Sequence, residues 1–243
     1  MPTIVYQMPG DVRAGPLGPD ELKRREVILQ QWASAAVTVE VADAPGGPLS
    51  IESQVEEALC VAPTIAALRA RPTSPDAVIV GCFGDPGLGA LRELMDYPIV
   101  GPFEASVHLG AQLGDRVAVV TVLESLVPLL DQLVRTMGLS LRYAGAAAVE
   151  IPVLELKAEA ATLASRVVTA AEPLLRERRA DVLVLGCMSM AFLDIADRVA
   201  ERCGIPVINP AKCALKTAES LVSQRLLHSR RTYPKPRKAI AMD

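Results

Sequence analysis

The sequence predicts an α/β protein of two pseudo-symmetric lobes, each a parallel sheet flanked by helices, with the active site in the cleft between them. Three observations predict this fold class. First, Asp76-Ala-Val-Ile-Val-Gly81-Cys82 and Asp181-Val-Leu-Val-Leu-Gly186-Cys187 are two copies of one pattern 105 residues apart. Each is a short apolar run between an acidic residue and a glycine, which reads as a strand buried on both faces of a parallel sheet. Second, such runs alternate with helical segments, and right-handed βαβ crossovers then cover each sheet with helices. Third, the alternation starts again near Gly114-Asp115, giving a first lobe of residues 1–105 with 207–243 and a second lobe of 106–206.

Taken in order, Thr3–Gln7 is a first strand, and the Gly- and Pro-rich stretch from 8 to 19 is a loop long enough to cover a site. Asp20 stands where an N-cap belongs, before a helix over Glu21–Ala33, and Val37–Ala42 is the next strand. A helix from about Glu52 to Ala70 precedes the strand ending at Cys82. Pro98–Val100 is a short strand followed by a helix from about Phe103. The second series has a strand over Arg116–Thr121, a helix over Leu126–Met137 and a long helical region over Leu156–Arg179, which Pro173 should kink or divide. Ile205-Pro-Val-Ile208 then repeats Tyr97-Pro-Ile-Val100, three residues later relative to its cysteine, which implies an insertion. A last helix over about Cys213–Leu227 leads to a basic tail, mobile or packed on the surface.

Composition narrows the function classes. Half the residues are apolar (51%), 22% are charged and 3% are aromatic, as in a compact α/β protein rather than a disordered chain. A net charge of −3 supplies no field for nucleic acid or an acidic membrane, so the expected partner is a small molecule. No apolar stretch approaches the roughly 20 residues of a membrane span. No secretory signal is visible, and the five cysteines form no CxxC or CxxH pair, so a reducing cytoplasm is expected, with neither a disulfide framework nor a zinc site. The glycines at 84, 87 and 89 match no dinucleotide or phosphate-loop signature.

Each Gly-Cys pair falls at a strand's carboxyl end, where open α/β sheets bind ligands. A helix amino end after Cys82, at Asp85-Pro86, would place partial positive charge by the thiol and favour thiolate. Ser189, after Cys187, is placed to cap a helix or donate to a ligand. Two thiols on opposite sides of one bound molecule suit two-base proton exchange: one thiolate takes a proton from a stereogenic carbon and the other thiol returns one to the opposite face. This chemistry needs no metal or organic cofactor, but it needs an acidic carbon, such as one beside a carbonyl with an oxyanion site ready. The competing reading makes both cysteines small core residues. Repetition at equivalent strand ends favours a functional pair, whereas Cys60, Cys203 and Cys213 read as packing residues. His108, His228, Glu104 and Lys212 read as structural or surface groups.

Around these same residues the chain resembles the hydantoin and allantoin racemases of the aspartate/glutamate racemase superfamily. The resemblance is strongest at Ile-Val-Gly-Cys82-Phe-Gly-Asp-Pro-Gly-Leu and Val-Leu-Gly-Cys187-Met-Ser-Met. Gly47–Glu52, Val119–Thr121 before Ser125–Pro128, Ile151–Leu154 and Ile205–Ile208 leading to Ala218-Glu219 extend it over most of the chain. It implies cofactor-independent racemisation at a ring carbon of a 5-substituted hydantoin or related cyclic ureide, with Cys82 and Cys187 as opposing acid/base residues and a homo-oligomeric assembly. It also implies ring binding by Gln7, Phe83, Gly84, Thr121, Val122, Leu123, Met188 and Ser189. The chain departs from the family pattern at Tyr6-Gln7-Met8-Pro9-Gly10, where members have an Asn-Pro-Asn-like turn, and at Met188-Ser189, where small residues such as Ala-Gly are usual. Amino-acid racemisation, cis–trans isomerisation and decarboxylation occur in the same superfamily and remain alternatives, as does a small-molecule binding protein without turnover.

Overall fold

The computed structural model describes residues 1–156 and 159–238. The chain divides into two compact units, one of Met1–Ile51, Val55–Pro102 and Ala214–Asp243, the other of Glu52–Gln54 and Phe103–Cys213. Among the described residues the strands form two four-stranded parallel sheets.

In the first unit β1 (Thr3–Gln7), β2 (Thr38–Ala42), β3 (Ala77–Val80) and β4 (Ile99–Val100) take the order β2-β1-β3-β4. Helices α1 (Gly18–Trp32), α2 (Gln54–Arg69) and α3 (Leu88–Leu94) connect them. Val5, Val78, Val80 and Ile99 pack with Ile65 and Leu68 of α2 and Leu91 of α3. Tyr6, the next residue along β1, points to the opposite face, as strand alternation requires, and meets Arg25 of α1. The acidic residue of the repeat also has a structural role, since Asp76 accepts the Thr3 N–H at 2.7 Å and so ties the starts of β3 and β1 together.

The second series contains α4 (Pro102–Leu113), β5 (Val117–Thr121), α5 (Val127–Thr136), β6 (Tyr143–Ala148), α6 (Ala160–Arg176), β7 (Val182–Leu185), α7 (Met188–Ala191), α8 (Ala196–Cys203), β8 (Val207–Ile208) and α9 (Pro210–Ser223). Its sheet order, β6-β5-β7-β8, repeats the first. Asp181 accepts the N–H groups of Asp115 and Arg116 at 2.9 and 2.8 Å, and so grips a strand start as Asp76 does in the first unit. Burial works against its ionisation, but these N–H groups hold its carboxyl below the usual range. Leu163, Ala164, Val167, Ala171 and Leu174 line the buried face of α6 at helical spacing.

The structure departs from the sequence expectations in several places. Strand β6 was not expected, because Tyr-Ala-Gly-Ala-Ala-Ala has little strand propensity; it is held as an edge strand by pairing with β5 through an irregular register. Pro173 lies one turn from the end of α6 and does not divide it; the helix is shorter than expected, and residues 157 and 158 of the expected span lie outside the described residues. Asp20 does not cap α1. The helix begins at Gly18 with Leu17 as its N-cap, and Asp20 and Glu21 lie in its first turn, where acidic groups suit the helix dipole. The three-residue insertion is explained by two short helices, α7 and α8, between β7 and β8, where α3 alone joins β3 to β4. Helix α9 starts earlier than expected, at Pro210, and ends at Ser223.

The loop from 8 to 19 packs on the segment after β2. Asp11 N–H donates to the Pro48 carbonyl and Ala44 N–H to the Gly10 carbonyl, both at 3.1 Å, while the Asp11 carboxylate accepts from Gly46 N–H at 2.9 Å. The basic tail packs as well. Arg230 donates to the carbonyls of Arg92 and Glu93 at 2.9 and 3.1 Å, and Lys235 to that of Leu94 at 2.7 Å, so acceptors left over at the end of α3 are satisfied. The Lys235 hydrogen bond, with Arg230 beside it, holds the exposed Asp96 carboxyl below its usual range. His228 Nε2 accepts the Ile99 N–H at 2.8 Å and Arg92 donates to the Ile99 carbonyl, closing the outer edge of β4.

One group on α2 makes stability depend on pH. Burial pushes the Glu57 carboxyl up to about 7 from an ordinary value of 4.5. Between those values the folded state binds more protons than the unfolded state, so this contribution is full below pH 4.5 and is lost as pH rises through about 7. Discounted for solvent screening, Glu57→Gln should stabilise the protein by about 1 kcal/mol at pH 8 and have little effect at pH 4. Urea midpoints at the two pH values test this; an equal shift at both would contradict it.

Candidate active site

Both cysteines emerge from the same local frame. In the parallel register Gln7 lies opposite Val80, and Val120 opposite Leu185. One residue further on, Gly81 N–H donates to the Gln7 carbonyl and Gly186 N–H to the Val120 carbonyl, each at 2.7 Å. A Cβ on Gly81 would lie 2.9 Å from the Gln7 carbonyl oxygen and from Met8 Cα. On Gly186 it would lie 2.7 Å from Val119 Cγ1 and 2.8 Å from the Val120 carbonyl oxygen. Glycine is therefore required by close backbone approach, and the next residue, cysteine, leaves the carboxyl edge beside the reversal of strand order.

The chain after each cysteine differs. Cys82 is half-buried and starts a turn in which Asp85 N–H donates to the Cys82 carbonyl at 3.3 Å. Asp85 has φ 53°, a left-handed backbone that aspartate tolerates better than most side chains, and its carboxylate occupies the space that a Cβ on Gly101 would take. The helix expected at Asp85-Pro86 begins instead at Leu88, with Gly87 at φ 68° as its N-cap. Cys187, in contrast, is itself the N-cap residue of α7, and its carbonyl accepts from Ala191 N–H at 3.2 Å. Ser189 lies inside that helix and does not cap it. Asn209 organises this side: its Oδ1 accepts from the N–H groups of Ala211 and Lys212 at 3.0 and 3.1 Å, while its Nδ2 donates to the Ala191 carbonyl at 2.9 Å.

At the carboxyl edge of the first sheet the structure gathers Gln7, Cys82, Phe83 and Gly84. Gln7 is 1% exposed; its amide Nε2 donates to the Met8 carbonyl at 3.1 Å, and its Oε1 is a buried acceptor with no hydrogen-bond partner among the described residues. At the corresponding edge of the second sheet are Thr121, Cys187, Met188 and Ser189. Thr121 Oγ1 donates to the Gly186 carbonyl at 3.1 Å, and Met188 is buried. Val122 and Leu123 follow Thr121 at this edge; the Val122 side chain is buried in the apolar core of the second unit, which also includes Cys187, with Leu123 packed against it, and Ile151 N–H reaches the Val122 carbonyl at 3.1 Å.

Sequence reasoning missed two groups. Asn209 had a readable signal, Asn-Pro immediately before a helix. Tyr6 and Arg25 had none, because a buried arginine on an amphipathic helix looks like any surface cation until its strand partner is known. Tyr6 OH donates to the Gly81 carbonyl at 3.3 Å, and Arg25 Nη1 lies 3.5 Å from the Tyr6 oxygen. Elsewhere, burial pushes the Cys60 thiol up to about 12, with the Glu57 carboxylate adding to the shift. His108 Nδ1 lies 2.7 Å from the carbonyl of Glu104 on its own helix, and Lys212 pairs with Asp194 at the surface at 3.0 Å. Among the described residues no cluster of three or more His, Cys, Asp or Glu is built to hold a metal, and no helix is long and apolar enough to cross a membrane.

Two parallel sheets of one strand order, each with a Gly-Cys pair at the end of a central strand, define a duplicated α/β protein with a thiol at each carboxyl edge. The chain belongs to the Asp/Glu/hydantoin racemase family, whose model matches residues 24–218. It is 31% identical over 231 residues to the hydantoin racemase of Paenarthrobacter aurescens, covering 87% of this chain and 97% of that protein. The solved allantoin racemase from Pseudomonas fluorescens superposes with a TM-score of 0.89 at 28% identity, over 98% of this chain and 99% of that one. The allantoin racemase from Klebsiella pneumoniae gives 0.87 at 26% identity, over 98% and 95%. The chain is thus a hydantoin/allantoin racemase-like enzyme of the isomerase class.

Proposed function

We propose that this enzyme racemises or epimerises a 5-substituted hydantoin or related cyclic ureide without a cofactor, with Cys82 and Cys187 as the acid/base pair. The observation that carries this reading is the shared frame of the two cysteines, each set by a glycine bonded at 2.7 Å to the neighbouring central strand. The ring carbon of such a substrate lies beside a carbonyl, so loss of its proton gives an enolate rather than a bare carbanion, and a thiolate is then an adequate base. N–H groups of the turns after the cysteines suit the enolate oxygen. Gln7, Phe83, Gly84, Thr121, Val122, Leu123, Met188 and Ser189 would hold the ring; the buried, unpaired Gln7 Oε1 suits a ring N–H.

The test is incubation of one enantiomer of a 5-substituted hydantoin, and separately of allantoin, in D₂O. Optical rotation should decay to zero while one deuterium enters the ring carbon. If no ring in such a panel racemises or takes up deuterium, the substrate assignment fails.

We further propose that the chain acts in the cytoplasm as a homo-oligomer. All five cysteines are thiols, which suits a reducing compartment and is checked by cell fractionation. Helix α2 leaves Val55 and Leu59, one turn apart, 68% and 62% exposed, an apolar face suited to a second copy. Leu59→Glu should lower the mass seen by light scattering; an unchanged mass would exclude this face.

A further inference from the structure

The loop after β1 carries a guanidinium that is held at one end and open at the other. Asp43, the residue after β2, has a side chain only 3% exposed, and both its oxygens serve Arg13: Oδ2 accepts the Arg13 N–H at 3.0 Å, and Oδ1 lies 3.1 Å from Nε. The Nη1 and Nη2 groups of Arg13 make no hydrogen bond or ion pair among the described residues, and its side chain is 62% exposed. The backbone beneath is fixed. A Cβ on Gly10 would lie 2.6 Å from the Pro48 carbonyl oxygen, and one on Gly47 2.7 Å from that of Pro9, so the loop and the segment after β2 are in direct backbone contact.

The backbone tie does not itself require a cation. In the second unit the Glu124 N–H, in the loop after β5, donates to Glu150 Oε1, just past β6, at 2.8 Å. A loop is thus joined to an acidic residue beyond the edge strand in both units, but only the first places an arginine there.

We propose that Arg13 is a specificity-determining residue whose open fork takes a carboxylate on the ring substituent, so that the preferred substrate carries an anionic arm. This rests on the ring-racemase reading above and deepens it. Cys82 follows β3, Gln7 ends β1 and Asp43 follows β2, and neighbouring strands in the order β2-β1-β3 are about 5 Å apart. From a ring carbon at the Cys82 end, the anchor of Arg13 is therefore about 10 Å away, a span filled by a two-carbon arm, its carboxylate and one hydrogen bond. Between them lies Gln7, whose buried Oε1 has no hydrogen-bond partner among the described residues and calls for a donor such as a ring N–H. One sheet edge thus presents an acceptor for the ring and a pair of donors for its arm.

Asp43 cancels most of the Arg13 charge at a distance. The Asp11 carboxylate on the same loop is occupied by the N–H groups of Ala14 and Gly46 at 3.1 and 2.9 Å. What a carboxylate gains here is two parallel N–H···O bonds rather than a long-range field, and a guanidinium can supply them while its Nε stays on Asp43.

The test compares 5-(2-carboxyethyl)hydantoin with 5-(2-carbamoylethyl)hydantoin, which differ in charge but hardly in shape. The ratio of kcat/KM should favour the acid about tenfold at pH 7, chiefly through KM. Arg13→Gln combined with Asp43→Asn, which keeps an oxygen for the N–H of residue 13 and strands no buried charge, should bring the ratio close to one. Arg13→Lys keeps the charge but not the fork and should leave it below about threefold. A ratio near or below one in the wild type, or one that survives in the double variant, overturns the proposal. Phenylglyoxal modification of Arg13, read by peptide mass, needs no turnover and should be slowed about threefold or more by the acid but not by the amide. Equal protection by both, or by neither, also overturns it. If both rings racemise equally well, the anionic preference fails and the racemase reading stands. If neither racemises while the acid alone protects Arg13, the carboxylate site stands and the racemase reading fails.

Discussion

Cys82→Ser and Cys187→Ser should each lower racemisation by about a thousandfold, within the range that a positioned acid or base contributes. A serine hydroxyl has almost the size of the thiol but is far too weak an acid to supply either the resting anion or the returning proton. The two variants should also differ in a way that ordinary loss of activity cannot mimic. With Cys187 replaced, Cys82 still removes a proton from the face it meets and returns deuterium to that same face. One enantiomer then exchanges with solvent and keeps its configuration, while the other is inert. With Cys82 replaced, the preference should reverse. Proton NMR in D₂O on each pure enantiomer, together with chiral chromatography, separates these results. Undiminished racemisation in either variant would defeat the pairing.

The second large effect concerns the residue before the thiol. Gly186→Ala should destabilise the protein by about 3 kcal/mol or more, as expected when an added carbon has no space in a packed core. The new Cβ would lie 2.8 Å from the Val120 carbonyl oxygen and 2.9 Å from Thr121 Cα. Neither atom can retreat cheaply. That oxygen already accepts the Gly186 N–H at 2.7 Å, and β5 is paired on one side with β6 and on the other with β7. Gly81→Ala should behave similarly, since its Cβ would meet the Gln7 carbonyl oxygen and Met8 Cα at 2.9 Å. Gly89→Ala is the control: nothing lies within 4 Å of its Cβ, and as a residue of α3 it should gain roughly 0.5–1 kcal/mol. Urea denaturation distinguishes them, and a Gly186→Ala protein as stable as the wild type would refute the close approach.

The central strands β1, β3, β5 and β7 could be read from the amino-acid sequence because helices cover both faces of such a sheet and the side chains along it are nearly all apolar, with polar ones such as Gln7 and Thr121 only at the strand ends. The same logic made β6 unreadable. Its alanines and glycine carry almost no strand preference, and only pairing with β5 extends them. Helix ends were misplaced where local signals compete: Asp20 looks like a cap, but Pro19 already fits the first turn, so the helix starts before it. The paired cysteines stood out because Gly-Cys recurs at equivalent positions. The Asp76 and Asp181 ends of the repeat were visible only as boundaries, and their grip on neighbouring strand starts is a long-range fact. Tyr6 and Arg25 meet across a βα crossing, and no periodicity within either element announces such a pair.

The clamp formed by residues 228–235 on α3 and β4 also bears on the order in which the molecule can be completed. The second unit takes in Phe103–Cys213, whereas residues 214–238 fall to the first, along with the start of the chain. On the ribosome, therefore, the sheet that is made first is finished last. Until His228, Arg230 and Lys235 have emerged, the carbonyls at the end of α3 and the outer N–H of Ile99 must be met by water, and the segment following Cys82 must wait for residues 228–235 before its far side is secured.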